Sequence, residues 1–330
     1  MSEYTPPYRI TDKILTLVSL ISEKIGRINE RNTLDSKPHL RKNNKIKSIH
    51  SSLAIEANSL TLGEVEDVIG GKLVIGAQKE IQEVKNAYAA YEMLSKVDVY
   101  NVGELKKIHG IMTKYVTEVS GEFRRGEEGV FDGDRCIFMA PPARFVPEQM
   151  ENLFNWMNEN KNVVHPLILS AIFHYEFVFI HPFTDGNGRM ARFWHSAILT
   201  KWKPIFEFIP IESQIEKFQS GYYDAIAKCH IDGNCTVFIE FMLEQINAIL
   251  DEISNTALPK TYISEYVQKL LAVMEYDVAY TSNEILALLG LKSKETLRKN
   301  YIVPAIENNL IAMTEPNKPK SKNQRYIKLY

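Results

Sequence analysis

Apolar side chains recur at helical spacing along most of this chain. Ile14, Leu17, Val18, Ile21, Ile25 and Ile28 fall on one face of a first amphipathic helix. A polar, basic stretch containing Pro38 follows at 31–44 and reads as a loop. Further helical segments are predicted at about 45–58, 63–70, 78–95 and 103–115. The pattern breaks over 120–146, which is rich in Gly and Pro and carries short β-prone runs such as 136–139. A loop and a small β-hairpin are expected there. Helical periodicity returns at 147–160. A longer apolar helix over 165–180 should stop at His181-Pro182, because a proline disfavours helical geometry in the residue before it. The short loop Thr184-Asp-Gly-Asn-Gly then leads into a helix at 188–201, and helices at 213–230 and 234–254 complete the block.

The last 70 or so residues read differently. After the linker-like Asn255-Thr-Ala-Leu-Pro-Lys260, a helix at 261–275 is followed by a short one opened by the capping box Thr281-x-x-Glu284. A third starts behind Ser293 as its N-cap. Two strands, Leu310-Ile-Ala-Met-Thr314 and Gln324-Arg-Tyr-Ile-Lys-Leu-Tyr330, flank a basic loop. Three helices and a β-hairpin in this order are the winged-helix arrangement.

Composition narrows the classes. Among 330 residues, 45% are apolar and 24% charged, ordinary globular usage that allows a real core. The 39 basic and 41 acidic side chains balance to -2, so any nucleic-acid contact must be a local patch. Three cysteines without C-x-x-C spacing make no disulfide framework and fit a reducing compartment. The opening Met1-Ser-Glu-Tyr-Thr-Pro-Pro-Tyr-Arg-Ile10 lacks the pattern of a secretion signal. The most apolar stretch, 167–183, is broken by His174, Glu176 and His181, so no membrane span is expected. The expected setting is the cytoplasm.

The segment richest in chemistry is His181-Pro-Phe-Thr-Asp-Gly-Asn-Gly-Arg-Met-Ala-Arg192. A Gly-Asn-Gly turn feeding a helix gathers backbone N–H groups into an anion nest at the positive end of a helix dipole. Arg189 and Arg192 are three apart and share a helix face, and two guanidiniums suit a polyphosphate. Asp185 is a hard oxygen ligand suited to Mg²⁺ shared with phosphates. His181 is a natural general base near neutral pH. Together they ask for a nucleoside triphosphate with Mg²⁺, attacked by a hydroxyl.

This segment resembles the core motif of the Fic family, HPFx[DE]GNGRxxR, at every defining position. The resemblance implies a mainly α fold with a Fic-type helical core and a small β-hairpin flap, here followed by the winged-helix domain. It implies transfer of AMP from ATP to a Ser, Thr or Tyr hydroxyl of a protein, including the chain itself. His181 would be the catalytic base and Asp185 the Mg²⁺ ligand. Gly186, Asn187 and Gly188 would form the anion hole, with the Asn187 side chain contributing. Arg189 would contact the phosphates nearer the sugar and Arg192 the γ-phosphate, with Met190 and Ala191 completing the cradle. The hairpin at 136–140 and the following Pro141-Pro-Ala-Arg-Phe-Val-Pro-Glu-Gln-Met150 look like the family's flap, which lays the target over the site by strand addition. The implied organisation is an N-terminal helical region at 1–110, a catalytic core at 111–254 and the winged helix at 255–330.

Ser52 and Glu56, four apart in Ser51-Ser-Leu-Ala-Ile-Glu-Ala-Asn58, share a face of the predicted helix at 45–58. They resemble the family's inhibitory motif [ST]xxxE[GN], with Ala57 standing where Gly or Asn is usual. A carboxylate reaching Arg192 would form a bidentate ion pair and keep that guanidinium from the γ-phosphate. Some relatives with this glutamate also remove AMP, and relatives with an N-terminal brake frequently form homodimers. Tyr223, in the Gly221-Tyr-Tyr223 of a later helix, is the expected adenine-stacking residue by resemblance. His165, His174 and His230 read as structural. Cys229, His230 and Cys235 match no zinc spacing.

The basic residues Lys292, Lys294, Arg298 and Lys299 flank the third tail helix, and Lys318, Lys320, Lys322 and Arg325 populate the wing. They are the charge pattern expected of phosphate contacts. They carry the competing expectation, a DNA-binding transcriptional regulator acting through 261–330 with the nucleotide pocket as sensor.

Overall fold

The computed structural model describes residues 4–30, 38–132, 135–257, 264–276, 278–308, 310–316, 318 and 321–329. It divides into two compact units, Met1–Ile25 with Asn44–Leu250 and Gly26–Asn43 with Asp251–Tyr330.

The helices lying wholly or mostly in the first unit run α1 (Asp12–Glu30), α2 (Pro38–Ala54), α3 (Leu62–Ile69), α4 (Gln78–Tyr91) and α5 (Val102–Met112), then α6 (Val146–Asn160), α7 (Pro166–Ile180), α8 (Asn187–Trp202), α9 (Ile211–Lys217), α10 (Gln219–Asp232) and α11 (Thr236–Ala257). Ile14, Leu17, Ile21, Ile25 and Ile28 are buried along α1, as the periodicity predicts. The centre is the antiparallel pair α7 and α8. Along α7 every residue from Leu167 to Phe177 is buried, which suits a helix apolar on all sides. In α8 the burial extends to Arg189, Arg192, His195, Ser196 and Thr200. Buried polar groups at this density mark a site rather than a plain core.

Between α5 and α6 the strands β1 (Gly129–Asp132) and β2 (Arg135–Met139) form the expected hairpin. It is antiparallel, pairing Gly129 with Met139, and its register shifts between Val130 and Phe131. Among the described residues no helix is long and apolar enough to cross a membrane.

Two boundaries differ from the sequence expectation. The segment 213–230 is broken at Phe218 (φ −117°, ψ 39°) into α9 and α10; the apolar pattern continues through the break and so hides it. The segment expected as a helix at 45–58 is also displaced. Helix α2 starts at Pro38, where a missing N–H costs nothing in a first turn. It ends at Ala54 in a turn whose N–H groups of Asn58 and Ala57 donate to the carbonyls of Leu53 and Ala54. This is a Schellman closure, and Ala57 takes its left-handed position with φ 64°. Glu56 therefore sits in the terminating turn, not on the helix.

The second unit holds α12 (Glu265–Val273), β3 (Ala279–Tyr280), α13 (Ser282–Leu289), α14 (Lys294–Thr296), α15 (Val303–Glu307), β4 (Ile311–Met313) and β5 (Tyr326–Lys328). The strands form one sheet in the order β3-β5-β4. Ser264 caps α12, both halves of the Thr281–Glu284 capping box are made, and Ser293 caps α14. A π turn at Leu297–Ile302 joins α14 to α15. It ends two residues before Pro304, which has no N–H for the α-helical ladder. Leu270, Ile285, Leu297, Ile302 and Ile311 are central in this unit's core. Residues 258–263 of the expected linker and first tail helix, and Lys320 of the expected wing, lie outside the described residues.

An L-residue in the left-handed region costs about 1–2 kcal/mol, which glycine avoids at some expense in unfolded-chain entropy. Ala57→Gly should therefore stabilise the chain by about 0.5–1 kcal/mol in urea unfolding. An unchanged or lowered midpoint would argue against the strained turn.

Candidate active site

The motif loop joins the two central helices. The N–H of His181 donates to the Phe177 carbonyl (2.9 Å), and His181 then leaves α7 in the left-handed region (φ 52°). Gly186 repeats that geometry (φ 79°) as N-cap of α8 and brings no side-chain oxygen to cap it. Its own N–H donates to Asp185 Oδ1 at 2.6 Å. The next N–H groups, of Asn187, Gly188 and Arg189, open the helix without an intrahelical acceptor and point at one concavity. The Asn187 amide turns inward. It accepts from Phe183 N–H (2.9 Å) and donates to the Phe183 carbonyl (2.6 Å). That side chain holds the loop closed, with one of its two amide N–H groups committed to the Phe183 carbonyl.

Arg192 is 1% exposed. Its Nη2 donates to Glu56 Oε1 at 2.7 Å and to the Ser52 carbonyl at 2.9 Å, and its Nε donates to Ser52 Oγ at 3.2 Å. The ion pair thus uses one carboxylate oxygen, not the bidentate form expected, because Ser52 occupies the rest of the guanidinium edge. The carboxylate also lies against the start of α8. A Cβ at position 188 would fall 2.2 Å from Glu56 Oε1, so Gly188 is what admits it. Negative charge is favoured at a helix N-terminus.

Arg189, also buried, donates from Nη2 to Asp185 Oδ1 (2.9 Å) and faces Glu83 Oε1 from Nη1 at 3.5 Å. Burial pushes the Asp185 carboxyl up, but the Arg189 guanidinium and the Gly186 N–H outweigh it and hold it below the ordinary carboxylate value. Among the described residues its second oxygen accepts no hydrogen bond. One ionised carboxylate at a loop mouth is a donor set that fits Mg²⁺, which keeps waters and takes its other oxygens from phosphates. Burial holds the His181 imidazole below its ordinary pKa against a hydrogen bond to the Val178 backbone, and the Arg124 guanidinium lowers it further. A neutral imidazole at physiological pH is the form a general base needs.

Met190 and Ala191 are fully buried and bring no polar side-chain group to the site. Tyr223 is half-exposed on α10 with its ring edge-on to Tyr222 (5.2 Å). The residue that reaches the motif is the buried Tyr222, which interacts with Arg192 and hydrogen-bonds His174 Nε2 at 2.9 Å. His165, His174 and His230 all have structural neighbours.

Several supporting residues carry no local sequence signal. His109 stacks on Phe183 (ring centroids 3.6 Å apart), accepts from Gly121 N–H at Nδ1 (2.8 Å), and so donates from Nε2 to the Asp185 carbonyl (3.0 Å). Arg124 is buried among carbonyls. It donates to His181 O (2.7 Å), to Gly126 O before the hairpin (2.8 Å) and to Pro141 O after it. Glu212 is fully buried and accepts from Ser48 of α2, Tyr91 and Ser196. Ser48 and Ser52 are one turn apart on α2 and Glu56 follows in its terminating turn, so one line of polar groups seats this segment on the core.

Burial, with the Arg189 guanidinium adding, lowers the His109 pKa to about 4 against the bond to Asp185, and burial lowers that of His195 to about 4. The unfolded chain takes up these protons near pH 6.5, the folded chain only near 4. Their contribution to stability is complete above pH 6.5 and is lost as pH falls toward 4, on the order of 3 kcal/mol for His109. Urea unfolding from pH 6.5 to 4.5 should show a shallower pH slope for His109→Asn than for the parent. Equal slopes would show that His109 is not held neutral.

The sequence profile of the Fic/DOC family matches residues 99–199, and that of the "Filamentation induced by cAMP protein Fic-like, C-terminal domain" matches residues 265–328. Protein adenylyltransferase Fic of Nematostella vectensis is 28% identical over 215 residues, 62% of this chain and 47% of the relative. The Drosophila melanogaster protein of the same name is 26% identical over 62% of this chain and 41% of its own. The chain thus spans less than half the length of these curated relatives. The crystal structure of a Fic family protein from Desulfovibrio desulfuricans G20 superposes with a TM-score of 0.73 and 40% identity, covering 98% of each chain. At that identity across nearly all of both chains, and with the motif complete from His181 to Arg192, the chain belongs to the Fic family.

Proposed function

We propose that this chain is a protein adenylyltransferase restrained by its own Glu56. The observation that carries the reading is the pairing of Arg192 Nη2 with Glu56 Oε1 at 2.7 Å, at the end of the motif segment that also holds His181, Asp185 and Arg189. In the released enzyme, Arg192 and Arg189 hold the phosphates and the open amides of α8 face them. His181 takes the proton of the acceptor hydroxyl, whose oxygen attacks the α-phosphorus. The bond to the β-phosphate bridging oxygen breaks and pyrophosphate leaves. Asp185 is the residue that would hold Mg²⁺, which neutralises phosphate charge when bound. Positioning and charge stabilisation supply most of the acceleration in reactions of this kind. The acceptor is a Ser, Thr or Tyr of a partner protein or of the chain itself, laid along the hairpin at 129–139. Removal of AMP at the same site, with Glu56 positioning a water, and a homodimeric assembly follow from the family resemblance.

A second reading draws on the second unit, which we take as a winged helix. Lys292, Lys294, Arg298, Lys299, Lys318, Lys322 and Arg325 are all exposed. This pattern favours contact with DNA phosphates, with the nucleotide pocket as sensor. A gel shift with duplex DNA that weakens steeply with salt would support it.

Incubated with ATP and Mg²⁺, Glu56→Gly should gain the mass of AMP, at a rate at least about tenfold above the parent, given one buried charge-assisted contact removed. His181→Ala in that background should lose at least about a hundredfold in rate. Equal labelling of parent and Glu56→Gly removes the brake. An added phosphate in place of AMP replaces adenylyl with phosphoryl transfer.

A further inference from the structure

The turn that carries Glu56 is tied to the second motif arginine as well as the first. Ala57 reverses the chain, so that Glu56 faces Arg192 while Asn58 faces α4. Asn58 is 8% exposed and its amide is fully used. Its Oδ1 accepts from Leu60 N–H (3.2 Å), and its Nδ2 donates to Glu83 Oε2 (2.9 Å) and to the Glu80 carbonyl (3.2 Å). Ser59 adds bonds from N and Oγ to the two oxygens of Glu80, at 3.0 and 2.9 Å. The first turns of α4 therefore grip the residues directly after the turn. The other oxygen of Glu83 faces Arg189 Nη1 (3.5 Å), and Arg189 holds Asp185 through Nη2 (2.9 Å).

A continuous line, Asn58–Glu83–Arg189–Asp185, thus runs beside the pair Glu56–Arg192. Buried amides and guanidiniums carry a cost unless each donor is met, so these links are set by satisfaction and not by chance proximity. Arg189 Nε is buried with no hydrogen-bond partner among the described residues. The Arg189–Glu83 contact is also the longest in the line. Arg189 is therefore the least well satisfied member, and the one an incoming phosphate draws away most readily.

We propose that Asn58 is the positioning residue of the brake and that Glu83 couples it to Arg189. A triphosphate that takes Arg189 from Glu83 loosens Asn58, and with it the turn that presses Glu56 on Arg192. The two arginines are released together. This rests on the reading that Glu56 keeps nucleotide from Arg192, and goes beyond it by assigning Asn58 and Glu83.

The test is calorimetric titration of the full chain with Mg²⁺ and a non-hydrolysable ATP analogue. Asn58→Ala removes the link without changing charge. It should tighten binding about tenfold, the scale of one hydrogen bond to a charged group, and raise AMP transfer. In the Glu56→Gly background the same substitution should change nothing, because its effect passes through Glu56. Asn58→Asp keeps the acceptor for Leu60 N–H and sets a second carboxylate against Glu83, and should release the site further than Ala. Thermal melting of each variant confirms that a folded chain is titrated. Binding unchanged by both Asn58 variants, while Glu56→Gly tightens it, overturns the proposal and leaves the brake intact. An equal gain with and without Glu56 overturns it too, since Asn58 would then act on the pocket directly. No gain from Glu56→Gly itself defeats the underlying reading.

Discussion

A guanidinium sealed from water must have an anion, and Arg192 is such a group. Its surroundings are arranged around that requirement: Ser52 supplies neutral acceptors along one edge, and Glu56 supplies the charge. On the proposed function, replacing Glu56 by a phosphate would exchange one anion for another. The cation would never be left bare, and the cost of switching would be the difference between two similar pairings. A single carboxylate could in that way oppose a highly charged ligand. It need only be tethered close by, where its effective concentration is high.

The same principle organises the rest of the core. α8 carries its cations inside, and each is met by an acidic residue from outside the helix or from the loop before it: Arg192 by Glu56, Arg189 by Asp185 and Glu83. Glu212 is the converse case, a buried carboxylate met by hydroxyls; burial raises its pKa and the donors of Ser48, Tyr91 and Ser196 oppose that rise. His109 is kept uncharged between Gly121 and Asp185, which fixes the loop without adding a competing cation to the phosphate side.

How much of this was readable in advance depended on distance along the chain. The groups of the segment 181–192 were legible because one loop and one helix turn carry them all. The stop before Pro182, the hairpin and the caps at Thr281 and Ser293 were legible because each rests on local backbone chemistry. The left-handed turn at Ala57 was hidden, since alanine gives no sign of a conformation that Gly or Asn favours. His109, Arg124, Glu83 and Tyr222 were missed for a different reason. Each is a common residue on an ordinary pattern, and it gains meaning only when folding sets it beside a residue distant in sequence, such as Asp185 for His109. The early start of α2 and the break at Phe218 were missed because apolar periodicity does not register either change.

Arg124 gives the hairpin a fixed origin. Its guanidinium spans the backbone on both sides of the hairpin and ends on the carbonyl of His181, so ribbon and imidazole belong to one rigid frame. A foreign strand zipped onto such a ribbon is indexed in steps of about 3.3 Å per residue, while proton transfer tolerates only a fraction of that. On the proposed function, choice of acceptor would become a question of counting: the side chain that arrives at the right rung would be modified, and its neighbours, whatever their chemistry, would be out of phase.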